Sequence, residues 1–186
     1  MTMTDNPVDN GIDVGALLEA REVLGGAPDL AQFEWRTRCE WVNGTHSRSE
    51  VHSYFGLGEE HAHKVAFTFE ADHPETFASE DNGATPAEIV LAALASCLTA
   101  GVASIAQHRE IQLRSVTATV RAHMDAHGVL GMDPDVRNGF NDIQVHFDID
   151  ADATPEELEA LVAQSQKRSA VFDAIANPTK IEVDVN

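Results

Sequence analysis

Cysteine is scarce in this 186-residue chain, with only Cys39 and Cys97. Two thiols build neither a disulfide framework nor, unaided, a structural zinc site. In a reducing compartment each is therefore packing or chemistry. Basic residues are scarce too: 12 Lys and Arg stand against 31 Asp and Glu, a formal net charge of −19. So anionic a surface repels phosphate backbones, which argues against a nucleic acid partner and otherwise reads as solubility, and it is compatible with a salt-rich cytoplasm. No apolar run lasts the roughly 18 to 20 residues of a membrane span once Gln107 and the interspersed Thr, Ser and Gly are counted, so no membrane partner is expected. The start MTMTDNPVDN lacks a basic cluster followed by an apolar stretch, so a secretory signal is not expected and the address is cytoplasmic.

What is present reads as one α+β body behind a short extension. Residues 1 to about 10 read as disordered. Val14, Leu17, Leu18 and Leu24 then mark one face of a short helix ended by GGAP. In FEWRTRCEWVNG, Phe33, Trp35, Thr37, Cys39 and Trp41 alternate with polar residues, which predicts a half-buried strand turning at Asn43-Gly44. A return strand follows in SEVHSYF, a turn in GLGEE and a third strand in HKVAFTFEAD. Thr85, Pro86 and Glu88 form a capping-box start for a helix running to about His108. That helix is apolar nearly all round, which predicts burial on several sides. Strands LRSVTATVRAHM and NDIQVHFDID come next, then a second capping box at Thr154–Glu157, two helical stretches and a last strand KIEVDV. The order is βββ-α-ββ-α-β. The central helix is too apolar for a lone domain of this size, which implies a homodimer.

Inside that helix, LAALASCLTAG places one thiol, Cys97, in a run of small and apolar residues. The run TPAEIVLAALASCLTAG resembles the cysteine-bearing helix of the OsmC/Ohr family, the osmotically induced and organic hydroperoxide resistance proteins. Pro86 and Cys97 keep the family's eleven-residue spacing. The resemblance extends over residues 33–186 and includes the hairpin WVNG, the long loop between the middle strands and RSAVFDAIANP. It implies two antiparallel sheets around long central helices in an intertwined homodimer, with residues 31–186 as the OsmC-like domain and residues 1–30 as an N-terminal extension. It also implies a reactive cysteine at the subunit interface that reduces organic hydroperoxides, ionised by an Arg and a Glu. In the peroxidase members a second cysteine then closes a disulfide, which a thiol donor such as a lipoylated protein reduces.

Carried over residue by residue, Cys97 takes the reactive position. Arg48 falls closest to the family's Arg, and His46 competes for the same cationic role. Ala87 stands where the peroxidases have Glu, so Glu88, one place later, is the substitute. Ser169 stands where they have the Cys of a Cys-Pro pair, so the internal resolving thiol is missing. The implied cycle uses one cysteine: a small apolar peroxide oxidises Cys97, and an external thiol reduces the sulfenic acid. The alternative is a non-catalytic dimer that binds a small ligand or serves in stress, with Cys97 lining the cleft.

The other candidates are weaker. Cys39 shares a strand face with Trp35 and Trp41, which points to core. His61 and His63 share a strand face but lack a third ligand at a familiar spacing, so no metal or cofactor is expected. His108 lies three turns beyond Cys97, roughly 16 Å away, too far to ionise it. The Gly-x-Gly of FGLGEEH has no βαβ context and is not read as a nucleotide loop.

Overall fold

The computed structural model describes residues 7–185. The fold is α+β, with a four-stranded and a two-stranded antiparallel sheet and helices. Two compact units divide the chain: Asp13–Val90, and the described residues up to Ile12 together with those from Leu91 onward.

In the first unit, α1 (Val14–Gly26) is capped by Asp13, whose carboxylate accepts from the Ala16 amide at 2.9 Å. The expected helix forms, but none of its residues is buried. The expected first strand divides into β1 (Glu34–Trp35) and β2 (Arg38–Asn43), which both pair with β3 (His46–Gly56), itself paired along its other edge with β4 (Glu59–Ala71). Gly44, at φ 55°, opens the two-residue turn between β2 and β3, and Leu57 and Gly58, both at positive φ, make the next. The return strand is longer than SEVHSYF and takes in His46 and Arg48 as well.

The alternation along β1 and β2 is real, yet the half-buried expectation fails. Every residue of both strands is exposed, Trp35 at 70% and Trp41 at 74%. Cys39 is exposed as well, not core. The register explains this: Cys39 aligns with Ser49 and Phe69, and Phe67 and Phe69 on β4 are exposed too. No described residue lays a covering layer over this apolar face.

A loop of residues 72–84 returns from β4 to the next helix around a single carboxylate. Asp72 is buried and accepts from the Thr45 and Ser79 hydroxyls, the His73 and Asn82 amides and the Asn82 side chain, at 2.6 to 3.1 Å. Five donors on one carboxylate hold it well below the usual carboxylate range, with the Thr45 hydroxyl first among them. Gly83 passes so close that a Cβ there would sit 2.5 Å from the Glu70 carbonyl oxygen, so only glycine fits.

Helix α2 (Pro86–His108) begins in the first unit and continues into the second. It is long and apolar enough to cross a membrane by length and composition, contrary to the residue-by-residue reading. Only Leu94, Leu98, Val102, Ile105 and Ala106 are buried, so the single chain covers one stripe and not several sides. Ile105, Ala106, Ile111 and Leu161 form a core cluster, flanked by Leu113, Ala151, Ala153 and Leu158.

The second unit continues with β5 (Leu113–His123), the one-turn α3 (Ala126–Val129), β6 (Asp142–Ala151), α4 (Pro155–Arg168) and α5 (Ala170–Ala176). The capping box at Thr154 and Glu157 forms as the sequence predicts. Helix α3 was not foreseen; Asp125 caps it inside what read as a loop. Two further corrections concern the ends. Residues 7–10 are tied down, not disordered: Asn10 donates to the Ile111 carbonyl at 2.9 Å, and its side-chain oxygen accepts from the Leu113 amide at 2.9 Å. Gln107 likewise donates to the Val8 carbonyl at 3.0 Å. The rest of the expected disorder, residues 1–6, lies outside the described residues. The last strand, KIEVDV, does not form: residues 180–185 make no strand ladder with any described residue, and Ile181, Val183 and Val185 are 81%, 90% and 95% exposed.

Candidate functional site

Cys97 lies mid-way along α2, half-buried, one residue before the buried Leu98. Its Sγ accepts a hydrogen bond from the Ser169 hydroxyl at 3.1 Å. Ser169 is the N-cap of α5, and its oxygen also accepts from the Phe172 amide at 3.1 Å. The chain reverses here because α4 ends in extended backbone at Ser169 and α5 starts at the next residue. Ser and Asp are favoured at such starts because a short side-chain oxygen reaches a free amide. Ser169 thus caps a helix and contacts the Cys97 sulfur at once.

Two concavities lie in this unit. The larger, about 560 Å³, is walled by Leu94, Leu98, Val145, Phe147, Val162 and Phe172, with Arg137 and Gln166 among its few polar groups. The smaller, about 310 Å³, is a polar groove bounded by Gln166, Lys167, Ser169, Phe172, Asp173 and Asn177. Cys97 lines neither, but Ser169, which touches its sulfur, lines the groove.

The candidate cations lie in the other unit, on β3. His46 and Arg48 are two residues apart on the same strand face, and both bond Glu70 of β4. Arg48 Nε donates to Glu70 Oε1 at 2.7 Å, and His46 Nε2 meets Glu70 Oε2 at 2.7 Å. Arg48 and His46 hold the Glu70 carboxyl below its ordinary range, and Glu70 in turn raises the Arg48 guanidinium above its own. His46 is nearly enclosed while Arg48 stays half exposed. Glu70 was missed by the sequence reading. The signal was the first of the two acids in the FTFEAD run, directly opposite Arg48 once the hairpins fix the register.

Glu88 caps the start of α2. Its carboxylate accepts from the Thr85 amide at 2.8 Å and the Thr85 hydroxyl at 2.9 Å, and its own amide donates to Thr85 Oγ1 at 3.2 Å. The Thr85 amide, then the hydroxyl, keeps this carboxyl below its ordinary range. The structure therefore brings together Cys97 with Ser169, and His46 with Arg48 through Glu70, and it engages Glu88 with Thr85. His61 and His63 both stack against Tyr54, with ring centroids 5.1 and 5.5 Å away, in a ladder that includes Trp35 and Phe33.

A family model described as OsmC-like protein matches residues 79–184. No curated protein matches the chain. Among solved structures, an OsmC-like protein from Mycoplasma pneumoniae is 15% identical at a TM-score of 0.59, over 77% of this chain and 87% of that one. An OsmC-like protein of unknown function from Vibrio cholerae is 12% identical at 0.55, over 76% of this chain and 92% of that one. An organic hydroperoxide resistance protein OsmC from Legionella pneumophila is 20% identical at 0.52, over 76% and 89%. At these identities the structures share the fold.

Proposed function

The chain belongs to the OsmC-like protein family, and from that membership we propose that it is a thiol-dependent peroxidase acting on apolar organic hydroperoxides through Cys97. The observation that carries the reading is the hydrogen bond from Ser169 to the Cys97 sulfur, at the family's reactive position. The thiolate is the form that attacks, and the Ser169 hydroxyl fixes where the sulfur sits. Cys97 thiolate takes the terminal peroxide oxygen, the O–O bond breaks, and the alkoxide leaves as an alcohol after taking a proton. The sulfur becomes a sulfenic acid, and two external thiols then return it to the thiol, releasing water and a disulfide.

Arg48, or His46 in its place, is proposed to supply the positive charge that the leaving alkoxide needs, with Glu88 orienting it. Glu70 joins this set because it already holds both cations. The apolar cavity beside Leu94 and Leu98 supports the preference for apolar peroxides. The uncovered Trp35, Trp41, Phe67 and Phe69 support a homodimer. In this reading the protein works in the cytoplasm without a cofactor, residues 31–186 are its functional domain, and residues 1–30 extend it.

A second reading, a non-catalytic small-ligand binder, is favoured by one fact: the apolar cavity is lined without Cys97. One experiment separates the two. The protein is titrated with an organic hydroperoxide, and sulfenic acid is trapped and located by mass spectrometry, with Cys97→Ser as the control. The peroxidase reading expects one adduct, on Cys97, ahead of the exposed Cys39. A Cys97 that survives a modest peroxide excess, with a ligand copurifying in the cavity, favours the binder.

A further inference from the structure

Resting on the peroxidase reading, we infer that the polar groove ending on Ser169 is the docking site of the external reductant, and that it selects small zwitterionic aminothiols. Of the residues lining the groove, Ser169 alone hydrogen-bonds the Cys97 sulfur, so a thiol held in the groove approaches that sulfur from the serine side. The groove's walls differ in kind from the apolar cavity's. Lys167 contributes an ammonium with no ion-pair partner among the described residues, on a chain whose net charge is −19. An unpaired cation in a concave polar site is a seat for a carboxylate.

Asp173 lines the same groove. Its Oδ1 accepts from the Asn177 side chain at 2.8 Å, which fixes the carboxylate as a partner for an ammonium. The Gln166 amide adds a neutral donor and acceptor. One cation and one anion in about 310 Å³ fit a small molecule that carries both charges. An amino-acid-derived thiol is such a molecule.

The reaction balances with that co-reactant. The aminothiol's thiolate attacks the sulfenic sulfur, an S–S bond forms, the S–O bond breaks, and hydroxide leaves as water after taking a proton. A second aminothiol attacks its own kind in the mixed disulfide, releasing Cys97 as thiolate and the small disulfide. Two thiols supply the two electrons that the sulfenic acid needs.

The test is disulfide exchange without peroxide, so its outcome is independent of the peroxidase reading. In a Cys39→Ser background, Cys97 is loaded as its mixed disulfide with 5-thio-2-nitrobenzoate. Release is then timed with cysteine, cysteamine, 3-mercaptopropionate and 2-mercaptoethanol, each normalised to its rate with a free model disulfide. Cysteine is expected to be fastest. Lys167→Glu is expected to slow the two carboxylate-bearing thiols roughly three- to fivefold, the scale of one solvent-exposed ion pair, and the other two less than twofold. Asp173→Asn is expected to do the same to the two amine-bearing thiols. Equal normalised rates for all four thiols overturn the inference, and so does a Cys97 that cannot be loaded, since no thiol then reaches it. Peroxide-inert Cys97 that still exchanges selectively overturns only the function proposed above.

Discussion

The Ser169 hydroxyl donates to the Cys97 sulfur at 3.1 Å, joining two positions 72 residues apart in sequence. The Phe172 amide occupies the acceptor side of the same oxygen, so the single hydroxyl proton is aimed at sulfur. Ser169→Ala removes that proton and the α5 cap together. It is expected to slow alkylation of Cys97 several-fold at neutral pH and to destabilise the fold by about 1 kcal/mol, the usual cost of a lost N-cap. Ser169→Cys places a thiol beside the nucleophile. One equivalent of hydroperoxide is expected to yield an internal disulfide, seen as loss of both thiols with no sulfenic adduct in a Cys39→Ser background. A persistent adduct in that variant means the two side chains do not meet in solution.

Asp72 links the β2–β3 turn at Thr45 to Ser79 and Asn82 of the loop before α2. Its carboxyl is depressed by these bonds, so it contributes stability that is complete above the unfolded value near 3.9 and is lost as pH falls toward the folded value. Asp72→Asn turns an amide NH2 against groups that already donate. Thermal melts are expected to show a Tm several degrees below wild type at pH 7. The gap should narrow as pH falls below about 4, because the unfolded wild-type chain then takes up a proton at this carboxyl that the native state refuses. A gap of constant size from pH 7 to pH 3 contradicts this account.

Helices were legible because their signals are local. Thr154 with Glu157, and Thr85 with Glu88, cap helices at the residues their spacing indicates. The hairpins were legible from glycine. The misreadings share one cause, which is that burial depends on what lies opposite. Trp41, Cys39 and the residues of KIEVDV alternate as a covered strand should, and no described residue covers them. Glu70 was missed because pairing a carboxylate with Arg48 requires the strand register, 22 residues away in sequence. The anchoring of Val8 and Asn10 by Gln107, Ile111 and Leu113 has no sequence periodicity at all, since it rests on individual amides.

The uncovered strands bear on the proposed homodimer. Ile181, Val183 and Val185 alternate with Lys180, Glu182 and Asp184, an amphipathic pattern with no ladder partner among the described residues. Trp35, Trp41 and Phe67 form a comparable apolar face on the first sheet. If a second copy covers them, sedimentation gives twice the 20.1 kDa chain mass. Trp41→Arg and Val183→Glu are each expected to weaken dimerisation by at least tenfold, since each places a charge in a buried interface. A chain that sediments as a monomer at micromolar concentration, with either variant behaving as wild type, rules the dimer out.

Helices α2 and α4 meet at a glycine, and the consequence can be measured. Ser165 is buried and donates to the Leu98 carbonyl at 2.6 Å, which holds its Oγ against Gly101. A Cβ at Gly101 would overlap Ser165 Oγ and lie 3.1 Å from its Cβ. In an open helix, Gly→Ala gains up to about 1 kcal/mol from backbone entropy. Here Gly101→Ala forces α4 away or rotates Ser165, at the 1 to 3 kcal/mol typical of overpacking, and is expected to lower stability by about 1 to 2 kcal/mol in urea unfolding. Ser165→Ala loses one bond to a carbonyl that α2 itself can still satisfy, so about 0.5 to 1 kcal/mol is expected. The double variant clears the overlapping oxygen and keeps only the tight Cβ contact. It should therefore be more stable than the sum of the single losses implies, by roughly 1 kcal/mol of coupling. Simple additivity would mean that the two helices do not approach this closely in solution.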